Sequence, residues 1–127
     1  MPDARFVTER YCTAWLGGDL ETIIDSYADE IVLHYFGENR LSGDHVGKEA
    51  ALEALATGAT IATRELLSID DILANDDTAV IVATERFTRD GESHEVTRVL
   101  RYRIAHDQFV ECWLYDEDQS LIDRMWR

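Results

Sequence analysis

The chain has 127 residues, 46% of them hydrophobic and 9% aromatic, enough to bury one core of ordinary domain size and too many for a disordered segment. Its net charge is −14 and Lys48 is its only lysine, so it repels phosphate backbones and nucleic acid is excluded as an expected partner. No apolar run is long enough to cross a bilayer, and the opening MPDARFVTERYC lacks the basic start and apolar block of a secretory signal. A single cytoplasmic domain over residues 1–127, without membrane contact, is expected. The carboxylates are scattered as on a solvated surface; adaptation to high salt is the rarer alternative. Cys12 and Cys112 fit no metal spacing and read as reduced core thiols.

From Asp3 to Leu16, Phe6, Val7, Tyr11, Ala14 and Trp15 recur at helical spacing, and Gly17-Gly18 stops the helix. Asp19 caps a second helix with Leu20, Ile23, Ile24 and Tyr27 on one face. EIVLHYF, from Glu30, is β-branched enough for a strand, and Gly37 to Gly47 has the chemistry of a loop. A third helix runs from about Lys48 to Thr57. Strands follow at Arg64–Ala74, Thr78–Arg89, Ser93–Ala105 and Phe109–Asp116, and Leu121, Ile122, Met125 and Trp126 suit a short closing helix. Helices grouped before an antiparallel sheet predict an α+β fold.

Alternation places Val96, Leu100, Tyr102 and Ile104 on the buried face of the third long strand, with Arg98 in their midst. Asp90-Gly91 is a two-residue hairpin signal, and counting back from it pairs Ala83 with Arg98 and Glu85 with Val96. Glu85 then lies diagonal to Arg98, on the face it shares with Ile81, Ala83 and Phe87. A buried arginine beside a buried glutamate is either a structural ion pair or the polar floor of a ligand cavity. The last strand is ambiguous. Val110, Cys112, Leu114 and Asp116 share one face; Phe109, Glu111, Trp113 and Tyr115 share the other. Trp113 and Tyr115, if outside with Val99, suit a homodimer interface on the outer sheet face.

YCTAWLGGDLETIIDSYADEIVLHYFGENRLSGDHVGKEA and the distal ECWLYDED resemble the SnoaL-like and ketosteroid isomerase-like branch of the nuclear transport factor 2-like superfamily. The resemblance implies a cone-shaped α+β barrel, a curved sheet wrapped around a pocket and closed by the N-terminal helices. Members of that branch are often dimers, and most need no metal or organic cofactor, so the resemblance implies a homodimer without a cofactor. Ketosteroid isomerases use a first-helix tyrosine as an oxyanion donor, where Tyr11 falls, and an acid where Arg98 falls. Their base is an aspartate at the end of the first strand, where this chain has His34 or Tyr35. SnoaL-type cyclases use a histidine at the place of Arg98 and an aspartate at that of Leu114, with Asp116 two residues further on. Limonene-type epoxide hydrolases use an aspartate–arginine–aspartate cluster, which Glu85, Arg98 and Asp116 imitate.

The expected function is therefore binding of a small apolar molecule, with cofactor-free acid–base chemistry on a carbonyl or epoxide compound. Arg98 and Tyr11 are the expected oxyanion stabilisers, and His34, Glu85 or Asp116 the proton carrier. Trp15, Tyr35, Ile81, Ala83, Phe87, Leu100, Cys112 and Leu114 are the expected pocket wall. The rival expectation is a non-catalytic binding or dimerisation module of the same fold.

Overall fold

The computed structural model describes residues 3–127. Helix α1 (Ala4–Gly17) starts where the Asp3 carboxylate accepts a hydrogen bond from the backbone N–H of Phe6. It ends where Gly18 takes a left-handed φ of 71°. Asp19 caps the short α2 (Leu20–Asp25) by accepting from the N–H of Thr22. The expected helical face stops short of Tyr27, which instead opens strand β1 (Tyr27–Tyr35). As a strand residue Tyr27 points into the core, where its hydroxyl meets that of Tyr11 at 2.7 Å.

The segment expected to be all loop contains an edge strand, β2 (Gly43–Val46), antiparallel to β1 with Tyr35 opposite Gly43. It is mostly exposed and has no alternation of apolar residues, so its sequence carries no strand signal. Helix α3 (Lys48–Ile61) runs one turn beyond expectation and leads into β3 (Thr63–Ala74). Strands β4 (Thr78–Arg89), β5 (Glu92–Ala105) and β6 (Gln108–Asp116) follow as a meander, closed by α4 (Gln119–Met125).

These strands form one sheet in the order β2-β1-β6-β5-β4-β3. It is not wholly antiparallel: β1 runs parallel to β6, because the chain reaches the end of the meander beside its own first strand. Register shifts in the β1–β6, β3–β4 and β5–β6 pairs mark the bulges that curve the open sheet around the core. The Asp90-Gly91 turn has positive φ at both residues, 52° and 80°, as its hairpin type requires. It sets Arg89 opposite Glu92, and hence Ala83 opposite Arg98 and Glu85 opposite Val96, as counted from the sequence. No helix of the described residues is long and apolar enough to cross a membrane.

Helices α1 and α3 lean on the concave side, against β3 and β1. The penultimate residue, Trp126, is wholly buried; its ring lies 5.3 Å from Phe87 and 5.6 Å from Tyr35. Replacing it leaves a large void in a core with no freedom to collapse. Trp126→Ala is expected to lower stability by about 3–5 kcal/mol in urea unfolding. An unchanged midpoint would mean that the C-terminus is not part of the core.

Candidate functional site

Between the concave sheet face and α1, α2 and α3 lies an open cavity of about 430 Å³. Its walls are largely apolar: Leu33, Leu66, Leu100 and Leu114 from the sheet, Ile23 and Leu55 from the helices. Trp15 and Leu20 line it too, and Leu20 is 64% exposed. Polar groups reach the walls in two places. Glu85 and Arg64 form one. The tyrosines Tyr11, Tyr27 and Tyr102 form the other.

Arg98 is fully buried at the centre of β5 and does not line the cavity. Asp116, opposite it on β6, accepts from its Nε at 2.6 Å and from its Nη2 at 3.3 Å. Glu85 accepts from its Nη1 at 3.1 Å. The Phe87 and Trp126 rings cover the guanidinium at 5.3 and 5.2 Å. With three nitrogens engaged and no surface on the cavity, Arg98 is not placed to meet a ligand oxygen there. The expectation that it stabilises developing charge by contact is corrected: Arg98 holds Glu85. Asp116 sits behind the wall with a side chain 4% exposed, committed to Arg98, and is likewise no proton carrier at the cavity.

The cation that lines the cavity is Arg64, the first residue of its expected strand and not among the expected site residues. It alternates with Leu66 on β3 and stands opposite Phe87, so it faces inward. Its Nη2 donates to both Glu85 oxygens, at 2.9 and 3.3 Å. No other nitrogen of this guanidinium is hydrogen-bonded among the described residues, and the side chain is 18% exposed, so donors remain for a ligand. Its inward register beside Phe87 was the available signal.

Burial alone would raise the carboxyl pKa of Glu85, but the Arg64 and Arg98 cations outweigh it and leave the pKa below its ordinary value. Glu85 is therefore ionised at neutral pH. Two cations and two carboxylates cancel, so the cluster presents polarity without net charge. Burial pushes Tyr11 up to about 12 and raises Tyr27, Tyr102 and Tyr35, so these phenols stay neutral. Burial pushes the Cys112 thiol, also on the wall, up to about 12, which leaves it a poor nucleophile.

Strand alternation separates the two neighbours on β1. Tyr35 points inward and its ring lines the cavity, while its buried hydroxyl has no partner among the described residues. His34 points outward, and its expected role as proton carrier is corrected. It stacks on Trp113 at 5.3 Å, with Asp44 on Nδ1 and Glu111 on Nε2, each at 2.6 Å. Burial lowers its pKa, but these carboxylates more than offset that and leave it raised. Ile81, Ala83 and Phe87 do face inward, yet they are core and not wall. Helix α1 packs over β3 and β4, and Trp126 and the two arginines cover Phe87. Trp15, Leu100 and Leu114 lie on the cavity wall. Among the described residues no group of three His, Cys, Asp or Glu side chains is placed to hold a metal ion.

A curved mixed sheet holding an apolar cavity against N-terminal helices is the fold of the nuclear transport factor 2-like proteins. Residues 8–112 match the SnoaL-like domain, and the chain belongs to that family. A protein of unknown function with a cystatin-like fold from Xanthomonas campestris is 24% identical, with 98% of each chain covered and a TM-score of 0.91. A nuclear transport factor 2-like protein of unknown function from Burkholderia pseudomallei is 16% identical over 99% of this chain and 98% of its own, with a TM-score of 0.84. TerC, co-crystallised with polyporic acid, is 15% identical over 94% of each chain, with a TM-score of 0.81. At these identities the likeness is one of fold. No curated protein sequence matches the chain.

The ion network has a measurable signature in acid. The folded-state pKa of Glu85 lies below its ordinary value of 4.5. The stability it contributes is therefore complete above that value and is lost as the pH falls through the lowered one. Arg98→Met leaves two carboxylates without their shared cation. Urea unfolding between pH 3 and pH 7 should show it less stable by about 3–5 kcal/mol at neutral pH, with its acid limb moved upward. Identical acid limbs in the two proteins would mean that Arg98 does not hold Glu85 ionised.

Proposed function

We propose that this SnoaL-like protein binds a small, mostly apolar and uncharged molecule, with one oxygen of that molecule hydrogen-bonded to Arg64. The observation that carries the reading is the guanidinium with spare donors on an apolar wall, its charge cancelled by Glu85. An anion gains little from a neutral cluster and loses its hydration, whereas a hydroxyl, carbonyl or epoxide oxygen loses less and still finds a donor. TerC, co-crystallised with polyporic acid, offers a precedent for the fold meeting a small organic molecule.

One observation favours a second, catalytic reading, that of a cofactor-free isomerase, cyclase or hydrolase. Arg64 and Glu85 meet at a single point of the cavity, so a cation that polarises an oxygen stands beside a carboxylate able to orient a hydroxyl or a water. The lowered pKa of Glu85 and its 2% exposure make it a weak base, which is why binding comes first.

Calorimetric titration with 2-naphthol and with 2-naphthoate tests the binding reading. The neutral probe should bind more tightly, and Arg64→Met should weaken it by about tenfold, the loss of one charge-assisted hydrogen bond. Tighter binding of naphthoate, or no effect of Arg64→Met, would sink the reading. A mass-spectrometric screen of cyclic ketones and epoxides tests turnover. Conversion that Glu85→Gln abolishes supports the catalytic reading, and no conversion removes it.

We also propose that a second copy of the chain covers the outer sheet face. Tyr115, 40% exposed, stacks on Phe36, 41% exposed, and stands beside Val99 in the register. Arg101 lies over Trp113, and Arg101 and Arg103 give an acidic chain a face on which like charge is locally relieved. Light scattering should give twice the chain mass, and Val99→Glu should return it to one. A wild-type protein at single-chain mass would exclude this interface.

A further inference from the structure

The outer face of the sheet holds a charge cluster that the cavity does not use. At its centre is His34. Its Nδ1 lies 2.6 Å from a carboxylate oxygen of Asp44 on β2, and its Nε2 lies 2.6 Å from one of Glu111 on β6. The two anions thus come from the strands on either side of β1. Trp113, opposite His34 on β6, stacks on the imidazole. Beyond them on β5, Arg103 reaches the second oxygen of Glu111 at 3.5 Å, and Arg101 lies over Trp113 at 4.2 Å. Two places away along the chain, Val32 and Phe36 carry no charge. Helices α2 and α3 also touch β1, but from the inner side, where they wall the cavity. His45, the other imidazole of β2, turns to the Leu41 carbonyl and the Tyr35 ring.

This geometry needs a proton. A neutral imidazole has one N–H, and its other nitrogen would set a lone pair against a carboxylate. Both contacts are short, so the cluster is complete only when both ring nitrogens carry hydrogen. The two carboxylates are not equal. The Glu111 side chain is 24% exposed and has Arg103 as a second partner. The Asp44 side chain is 65% exposed and has no other partner among the described residues. Water therefore replaces His34 at Asp44 more readily than at Glu111. Little else holds β2. It is four residues long, pairs only with β1 at the sheet edge, and lies between Leu41-Ser42 and Gly47. Gly47 leads straight into α3, whose start has no side-chain cap.

We propose that His34 is a proton-operated tie on the edge of the sheet. Charged, it joins β2 to β6 across β1. On losing its proton it keeps Glu111 and lets Asp44 go, and β2 loosens together with the start of α3. Leu55 and Ala59 of α3 line the cavity, so the tie sets how firmly that wall is seated, whatever the cavity binds. Burial lowers the imidazole pKa, but the two carboxylates outweigh it and leave it above its ordinary 6.5. The tie is complete below that ordinary value and is lost as the pH rises through the raised one.

An NMR titration of the full chain, with the His34 signal assigned by its absence in His34→Gln, gives the pH at which the proton leaves. It should exceed 6.5. Hydrogen–deuterium exchange, corrected for the pH dependence of the chemical step, is then measured on either side of that midpoint. The β2 amides should lose about fivefold in protection on the high side, the size of one half-exposed ion pair, while β4 and β5 keep theirs. His34→Gln and Asp44→Asn should each remove the step and leave β2 equally open on both sides. Asp44→Asn alters only an exposed side chain, so it reads the tie even if His34→Gln loses its fold. A midpoint at or below 6.5, or β2 protection that does not change, overturns the proposal. So does a step that survives in either variant, which would belong to another group, and a loss of protection in all strands together, which would be global unfolding. A fall in mass by light scattering in step with the exchange would assign the effect to a partner copy on the outer face, and the tie would fall.

Discussion

A guanidinium without exposure has to find its counter-charge inside the protein, and Arg98 is such a group. Desolvating it costs several kcal/mol, which only short and well-aimed partners offset. That requirement reaches through three strands. β4 must bring Glu85, β6 must bring Asp116, and β5 must hold Arg98 between them. A slip of one residue in either pairing would turn a carboxylate to the outer face and leave the cation alone. The closing helix is bound by the same constraint, because Trp126, just beyond α4, covers the guanidinium. The buried charge thus fixes a register that apolar residues alone would leave looser.

The arrangement also shapes the cavity. Glu85 is shared between one arginine that is wholly enclosed and one that faces the cavity. Through it, the interior of the sheet sets the position and charge of the polar group on the cavity wall. Arg64 arrives at the wall already paired, so it offers directed hydrogen bonds with little net field. The cavity tyrosines are neutral phenols that burial holds further from ionisation, and they need no such network.

Much of this is written in the sequence, for physical reasons that can be named. Asp90-Gly91 admits few backbone conformations, so counting back from it gave the pairing of Glu85 with Val96 and placed the ion pair. Arg98 stood out because alternation allows no escape from a face of Val, Leu and Tyr. The role of Arg98 was not legible, because whether a buried cation faces a cavity or a wall depends on what lies above it, here Phe87 and Trp126 from distant parts of the chain. Arg64 was missed for the same reason in reverse: nothing local marks the first residue of a strand as reaching inward. His34 and Tyr35 alternate whatever the register, but which of them turns inward was fixed only by pairing with β2 and β6. β2 itself left no pattern to read.

The parallel pairing of β1 with β6 carries a consequence for how the protein is made. Tyr35 lies opposite Leu114, nearly eighty positions later in the chain, so β1, with β2 paired to its other edge, cannot join the meander until the last strand has been synthesised. The meander from β3 to β6 closes through tight local turns and is quick to assemble, whereas docking β1 must close a loop of most of the molecule. The helices that wall the cavity therefore precede in the chain most of the sheet face that they cover. Until that face is complete, the leucines and tyrosines of the future cavity are open to water, and to one another's counterparts on neighbouring chains.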